Sequence, residues 1–458
     1  MAKAKAKTKA KAKSTKTKAT TKKASTPKAN KRAVVRPATK AKPKKAVHPK
    51  VAPKKSAVSK KSKPVAAKKK PEAPKPKSKG TKPAAQPAVA NSLAPRPIQL
   101  KPPAPSKPVQ KSALLQQLPK PAASRAKILS REFLFDVAKA IRVAVEPLVR
   151  SVKGREVVGS ATSGDATFQL DKAAEKALLT FLRDAKLPVA YYSEDAGYTT
   201  FTTGQPQHLL IVDPIDGSRA AKSGFESCVV SVASTRVIER PRIGDVDNAC
   251  VMEIIGPRTF YAERGKGTRI YEDNVPKKPK LSKNANLELV SWSMTVPARP
   301  AELIFPTAAK LIDLTSLKGG FFACNSTSYS LTRLLTGQYD ACIDIANRFL
   351  RDIPEIVEDH FINAGRGIVL GIAPYDIAAS ILIAQEAGCL VTDAYGANFD
   401  EVLLLDSSVA NFRSLVAAAN KELYDKLFSY FETRIQQYEQ LLKRRAALAA
   451  GARPHPAR

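Results

Sequence analysis

The sequence predicts an α/β body behind a disordered, polycationic tail, and three observations carry that reading. Short apolar runs stop abruptly at acids, Leu209 to Val212 before Asp213 and Val189 to Tyr192 just before Glu194, as buried strands do when they deliver side chains to a turn. Segments with apolar residues at helical spacing alternate with these runs. The first 120 residues hold almost nothing that could build a core.

Taken in order, the elements begin at Ser130. It can cap a helix whose Phe133, Val137, Ile141 and Val145 recur every four residues until Pro147 and Gly154. Asp171 is expected to cap a second helix, with Ala174, Leu178 and Phe181 or Leu182 as its buried stripe. Strands follow at Val189 to Tyr192 and at Leu209 to Val212. Ser227 to Ser234 and Ala249 to Ile255 read as a strand pair, and Thr259 to Ile270 adds a strand and a glycine turn, which suggests an antiparallel sheet. Residues 273–286 read as a Lys-rich loop. A second α/β half starts near Leu289, with a helix at Thr327 to Leu335 and a strand at Tyr339 to Ile345. Residues 346–373 resist assignment, and the segment is long enough to cover a pocket. Asp376 stands at the start of a small-residue helix that Gly388 ends, and Leu390 to Thr392 begins another strand. From Ala417 to about Ala450 one long helix is expected, with Leu423, Leu427, Phe431, Ile435, Tyr438 and Leu442 along one side. The domain plan is therefore a tail and linker over 1–123, a body over 124–430 and a helical extension over 431–458.

The chain of 458 residues carries a formal charge of +37, unevenly placed. Residues 1–120 account for +35, with Glu72 their one acid, and residues 121–458 for +2. The tail is built of Lys, Ala, Pro, Ser and Thr, has no aromatic residue before Phe133, and resembles lysine-rich histone tails. Such a segment binds polyanions by releasing counterions. Nucleic acid, polyphosphate and acidic membrane surfaces all qualify, because no aromatics accompany the lysines to stack on bases. Its rival role is that of a solubilising extension.

No run reaches the ~18 apolar residues of a membrane span, and the N-terminus lacks the apolar region of a signal peptide. The expected location is the cytoplasm, with nucleoid association through the tail. Cys228, Cys250, Cys324, Cys342 and Cys389 are scattered, as are His48, His208, His360 and His455, so neither disulfides nor a zinc site is expected. The site chemistry must come from carboxylates and hydroxyls.

Those groups gather around residues 210–218. After Asp213, Pro214 fixes the backbone, Asp216 follows, and Gly217 permits a left-handed turn that faces amides outward. Two carboxylates, a bend and exposed N–H groups suit a hard cation and a phosphate. Solvated acids at an ordinary strand exit are the plainer alternative.

Asp-Pro-Ile-Asp-Gly-Ser at 213–218, Ser-Glu-Asp at 193–195, Tyr-Asp-Ile-Ala-Ala-Ser at 375–380 and the Asp171 segment, in that order, resemble the inositol monophosphatase family over roughly residues 125–430. The resemblance implies a layered α/β/α/β/α sandwich and a magnesium-dependent, lithium-sensitive phosphatase with two or three Mg2+ ions. It implies that Glu194, Asp213 and the Ile215 carbonyl hold one ion, that Asp213, Asp216 and Asp376 hold a second, and that Asp171 and Ser218 orient the attacking water. Gly217 and Ser218 amides would cradle the phosphate. The mechanism implied is direct attack of a metal-activated water on a phosphate monoester of a small polyol or sugar. Homodimers are common in the family.

Two departures bear on the substrate. The glutamate that reads inositol hydroxyls in animal members, seven residues before the last metal Asp, is Val369 here, and the tryptophan beside that Asp is Tyr375. Gly164-Asp-Ala-Thr and Asp376-Ile-Ala-Ala-Ser look more like the archaeal branch, whose members also act on fructose 1,6-bisphosphate. A 3'(2'),5'-bisphosphate nucleotidase is an alternative, and so is a nucleic-acid-binding protein whose phosphatase-like body is an inert scaffold.

Overall fold

The computed structural model describes residues 123–160, 166–201, 204–449 and 451. The expected tail over 1–120, Gly164 and Asp165, and residues 452–458 lie outside the described residues. In chain order the elements are α1 (Arg131–Val145), β1 (Val157–Ser160), β2 (Ala166–Phe168), α2 (Gln169–Ala185), β3 (Val189–Ser193), β4 (Gly197–Thr200), β5 (His208–Asp216), α3 (Ser218–Ser223), β6 (Val229–Thr235), β7 (Asn248–Glu253), β8 (Arg258–Glu263), β9 (Thr268–Glu272) and β10 (Val275–Lys277). The second half adds β11 (Ser291–Thr295), α4 (Ala301–Thr315), β12 (Gly320–Cys324), α5 (Thr327–Thr336), β13 (Ala341–Asp344), α6 (Ala346–Asp352), α7 (Pro354–Ala364), α8 (Pro374–Ala387), β14 (Leu390–Thr392), β15 (Leu415–Ala418) and α9 (Lys421–Ala449).

Eight strands form one sheet in the order β10-β9-β8-β7-β6-β5-β3-β4, and five form another in the order β12-β11-β13-β15-β14. In the large sheet β3 and β5 are parallel, and β5 to β10 form an antiparallel meander. Helices α1 and α2 cover its outer face. Helices α5 and α8 fill the space between the sheets, and α4, α6, α7 and α9 cover the outer face of the small one. The architecture is an α/β/α/β/α sandwich.

Strand β5 shows why the apolar run at 209–212 belongs inside. Its period of two sends Leu209 and Ile211 into the core between the sheets and Leu210 and Val212 toward α1 and α2. The strand does not stop at Asp213, as its sequence suggests. Its pairing with β6 is irregular between Asp213 and Asp216 and resumes at Asp216 opposite Val229. Pro214, which has no N–H to give, sits in that irregularity.

Several sequence expectations need correction. Asp171 is the third residue of α2, not its cap. Its carboxylate reaches back to the Phe168 N–H, which holds the helix start as a cap would. The Lys-rich 273–286 segment contains β10, an edge strand whose exposed Pro276 and Lys277 fit an unpaired rim. Residues 415–418 are strand β15, so the last helix begins at Lys421 rather than Ala417. It runs unbroken through residue 431, with Leu423, Leu427, Phe431 and Ile435 buried. The 346–373 segment borders the pocket only at its end, where Leu370 to Ala373 line the cleft. It forms α6 and α7, whose Phe349, Val357 and Phe361 pack against the small sheet and α9.

Candidate active site

The strands of the large sheet and two buried helices aim their ends at one cleft. Asp171 comes from α2, Glu194 and Asp195 from the turn between β3 and β4, Asp213, Ile215 and Asp216 from β5, Gly217 and Ser218 from the start of α3, and Asp376 from the start of α8. Every site residue expected from sequence therefore lines the same cleft.

The turn after β5 is fixed by steric necessity. Gly217 has φ +98°, and a Cβ there would lie 2.5 Å from the Ser227 carbonyl oxygen, so only glycine fits. The bend turns Ser218 toward α2, where its Oγ donates to Asp171 Oδ1 at 2.7 Å and lies 3.1 Å from the Ile215 carbonyl oxygen. Phe168 N–H donates to the other oxygen, Asp171 Oδ2, at 2.7 Å. Asp171 and Ser218 are thus already a hydrogen-bonded pair.

The acids of β5 and α8 are held mainly by backbone amides. Ile215 N–H donates to Asp213 Oδ1 at 3.0 Å, Ser328 N–H to Asp216 Oδ2 at 2.7 Å, and Ala373 N–H to Asp376 Oδ2 at 3.1 Å. These bonds soften an electrostatic conflict without removing it. Burial pushes the Asp213 carboxyl well above its ordinary range, and Asp216, Asp376 and Glu194 add repulsion. Burial likewise raises Asp376, reinforced by Glu194 and Asp216 and opposed by the Ala373 amide and by Arg299. Asp216 is pushed up to about 6, also by burial, against hydrogen bonds from Ser326, Thr327 and Ser328.

Crowded, partly desolvated carboxylates of this kind need positive charge. Among the described residues, no three His, Cys, Asp or Glu side chains are drawn together as a finished coordination sphere. The donor chemistry nonetheless fits a hard divalent cation. Carboxylates from Glu194, Asp213, Asp216 and Asp376 and the Ile215 carbonyl are all oxygen donors, with neither sulfur nor imidazole among them.

Some residues of the cleft escaped the sequence reading. Thr295, Arg299, Asn325 and Thr327 form its wall on the side of the small sheet. Arg299 is anchored there, its Nε and Nη2 donating to the buried Asp344 at 3.1 and 3.0 Å. Ser328 also joins α5 to α8, with its Oγ 3.0 Å from both the Asp376 carbonyl oxygen and Ser380 Oγ. The sequence predicts a helix at Thr327 to Leu335 but gives no sign of what its start faces. Val369 does not face the cleft; it packs among apolar side chains of the core. Tyr375 is buried against Tyr192, with ring centroids 5.2 Å apart.

The family model for the inositol monophosphatase family matches residues 128–436, from just before α1 well into α9. The chain belongs to the inositol monophosphatase family. Its members are phosphoric monoester hydrolases that generally depend on Mg2+. The chain is similar to a fructose-1,6-bisphosphatase/inositol-1-monophosphatase of Methanothermobacter thermautotrophicus, with 27% identity over 65% of this chain and 94% of that protein. It is similar to a bifunctional NADP phosphatase/NAD kinase of Methanococcus maripaludis, with 24% identity over 66% of this chain, and spans about half (49%) of that protein's length. It is also similar to the Nus factor SuhB of Pseudomonas aeruginosa, with 24% identity over 57% of this chain and 84% of that protein.

Proposed function

We propose that this inositol monophosphatase family chain is a magnesium-dependent phosphatase that hydrolyses a phosphate monoester of a small polyol or sugar, inositol monophosphate or fructose 1,6-bisphosphate. The observation that carries the reading is the arrangement of the Asp171–Ser218 pair across one cleft from the acids of β5 and α8. Glu194, Asp213 and the Ile215 carbonyl would hold one cation, and Asp213, Asp216 and Asp376 would hold a second. The chemistry Mg2+ would supply there is neutralisation of charge on the phosphoryl and leaving oxygens, the main demand of phosphoryl transfer. Ser218, donating its proton to Asp171, keeps oxygen lone pairs to accept from a water, and Asp171 is a carboxylate able to take that water's proton. Gly217 and Ser218 offer backbone N–H groups to the phosphate at the turn. Li+ is expected to inhibit.

The substrate side of the cleft favours sugar phosphates over inositol monophosphate as the better substrate. Val369, partly buried against the core, stands at the position of the hydroxyl-reading glutamate, so that carboxylate is missing. The Methanothermobacter relative's name supports the two sugar and polyol substrates, and the Methanococcus relative's name adds NADP, a phosphorylated nucleotide in the range of a nucleotidase. Phosphate release from inositol 1-phosphate, fructose 1,6-bisphosphate, adenosine 3',5'-bisphosphate and NADP, each with and without Mg2+, tests the proposal, with Asp213→Asn as control. Turnover independent of Mg2+, or retained in the variant, would refute it.

A second function rests on the +35 charge of residues 1–120. The tail binds nucleic acid through counterion release, apart from the catalytic body.

A further inference from the structure

Glu175 stands one helical turn beyond Asp171 on α2 and lines the same cleft. An acid four residues after another on an amphipathic helix would ordinarily be a solvated surface charge. Here it is pulled inward. Its Oε1 accepts from Tyr191 Oη at 2.9 Å and from Ser193 Oγ at 3.0 Å, while Oε2 is buried with no hydrogen-bond partner among the described residues. Leaving a carboxylate oxygen buried and unpaired costs stability, so packing alone gives no reason for an acid at this place.

Its two partners differ in what they touch. Tyr191 lies within β3, and its ring is part of the core beneath α2. Ser193 is the last residue of β3 and directly precedes Glu194; its Oγ also accepts from Ala196 N–H at 3.2 Å, which closes the turn that carries Glu194 and Asp195. The far side of that turn is tied as well, since Thr167 Oγ1 donates to Asp195 Oδ1 at 3.0 Å and Thr167 precedes Phe168, whose N–H holds Asp171.

We propose that Glu175 is a positioning residue that ties α2 to the end of β3 through Ser193 and so fixes the separation of Asp171 from Glu194 across the cleft. The proposal rests on the phosphatase reading of this cleft. Loosening the tie displaces the turn that presents Glu194, so it weakens cation binding and slows the chemical step while leaving substrate affinity nearly unchanged. Tyr191 anchors the same carboxylate but leads away from the turn, so its hydroxyl serves stability alone.

The test uses the full-length protein and four variants: Glu175→Ala, Glu175→Gln, Ser193→Ala and Tyr191→Phe. Mn2+ binding is measured by titration calorimetry without substrate, alongside melting temperature and kcat and KM on fructose 1,6-bisphosphate. Glu175→Ala and Ser193→Ala are expected to lose about 10–100-fold in Mn2+ affinity and in kcat, the usual range for a group that orients a metal ligand, with KM changed by less than about two-fold. Glu175→Gln keeps a carbonyl oxygen for both hydroxyls and recovers most of that loss. Tyr191→Phe lowers the melting temperature and leaves Mn2+ affinity and kcat as in the parent. Wild-type Mn2+ affinity in Ser193→Ala, or four variants that lose melting temperature alone, would overturn the proposal. Should Glu175→Ala fail to fold, Ser193→Ala decides. If the unaltered protein releases no phosphate from any ester, the phosphatase reading falls, and the Mn2+ titrations still decide the role of Glu175.

Discussion

Asp213 is held by a single backbone amide in a crowd of like charges, and this makes its two expected contributions separable. Replacing it with Asn removes a proposed cation ligand and a source of repulsion at once. We expect Asp213→Asn to lower Mg2+-dependent turnover by more than about 100-fold, beyond the loss typical when only an orienting partner is removed. In a chelator at neutral pH the same variant should melt at a higher temperature than the parent, because function and stability conflict at clustered acids. Equal melting temperatures would show that repulsion at this position is negligible. Asp216 gives the matching pH dependence. Its carboxyl is raised from 3.8 to about 6 in the folded protein, so the native state binds more protons than the unfolded one. That contribution is fully present below the unfolded value and is lost as pH rises from about 4 through about 6. Without divalent cations the melting temperature should therefore fall across this window, and Asp216→Asn should flatten the fall.

At the scale of elements, the start of α1 and the turn into α3 can be tested independently. Ser130 accepts from Phe133 N–H at 3.1 Å, so Ser130→Ala should cost about 1 kcal/mol in chemical denaturation with no change in kcat. Gly217→Ala is a different matter, because a side chain there meets the Ser227 carbonyl within 2.5 Å in a backbone region only glycine adopts freely. It should abolish turnover as well as lower stability, since Ser218 and Asp171 can no longer meet. Much of this level was legible in the sequence because its causes are local. Ser130 announced α1, the unbroken apolar run from Leu209 to Val212 announced β5, and acids at strand ends announced the site, since packing offers them no reward. Glu175, Arg299 and Ser328 could not be read in the same way. An acid at the fourth position after Asp171 looks like any surface charge, and only the neighbouring β3 turns it inward. Helix α4 and strand β15 went unrecognised and the stretch of α6 and α7 resisted assignment, because the apolar faces of these helices gain meaning only from the small sheet, of which β15 is itself a strand.

At the scale of the whole molecule, the chain separates a nearly neutral body from a strongly basic segment. Removing residues 1–120 should leave kcat and KM for a small phosphate ester unchanged while abolishing salt-sensitive binding to DNA in a mobility-shift assay. Lost turnover, or DNA affinity that survives the deletion, would contradict the division. Within the body, the core between the sheets joins residues of β5, β6, β7 and β8 to α5 and α8.

That middle layer also sets an order of events during synthesis. The acids of β5 leave the ribosome early, but Asp376 and the rest of α8 arrive only after most of the second sheet has been made. Until then Leu209, Ile211, Val251 and Phe260 lack α8 on that side, and only α5 of the middle layer is in place. A chain cut short before residue 374 would be both inert and adhesive, lacking the last acid and presenting a partly uncovered apolar sheet to its neighbours. Premature stop codons across nearly the whole catalytic body should therefore yield aggregates for proteolysis rather than a weakened enzyme.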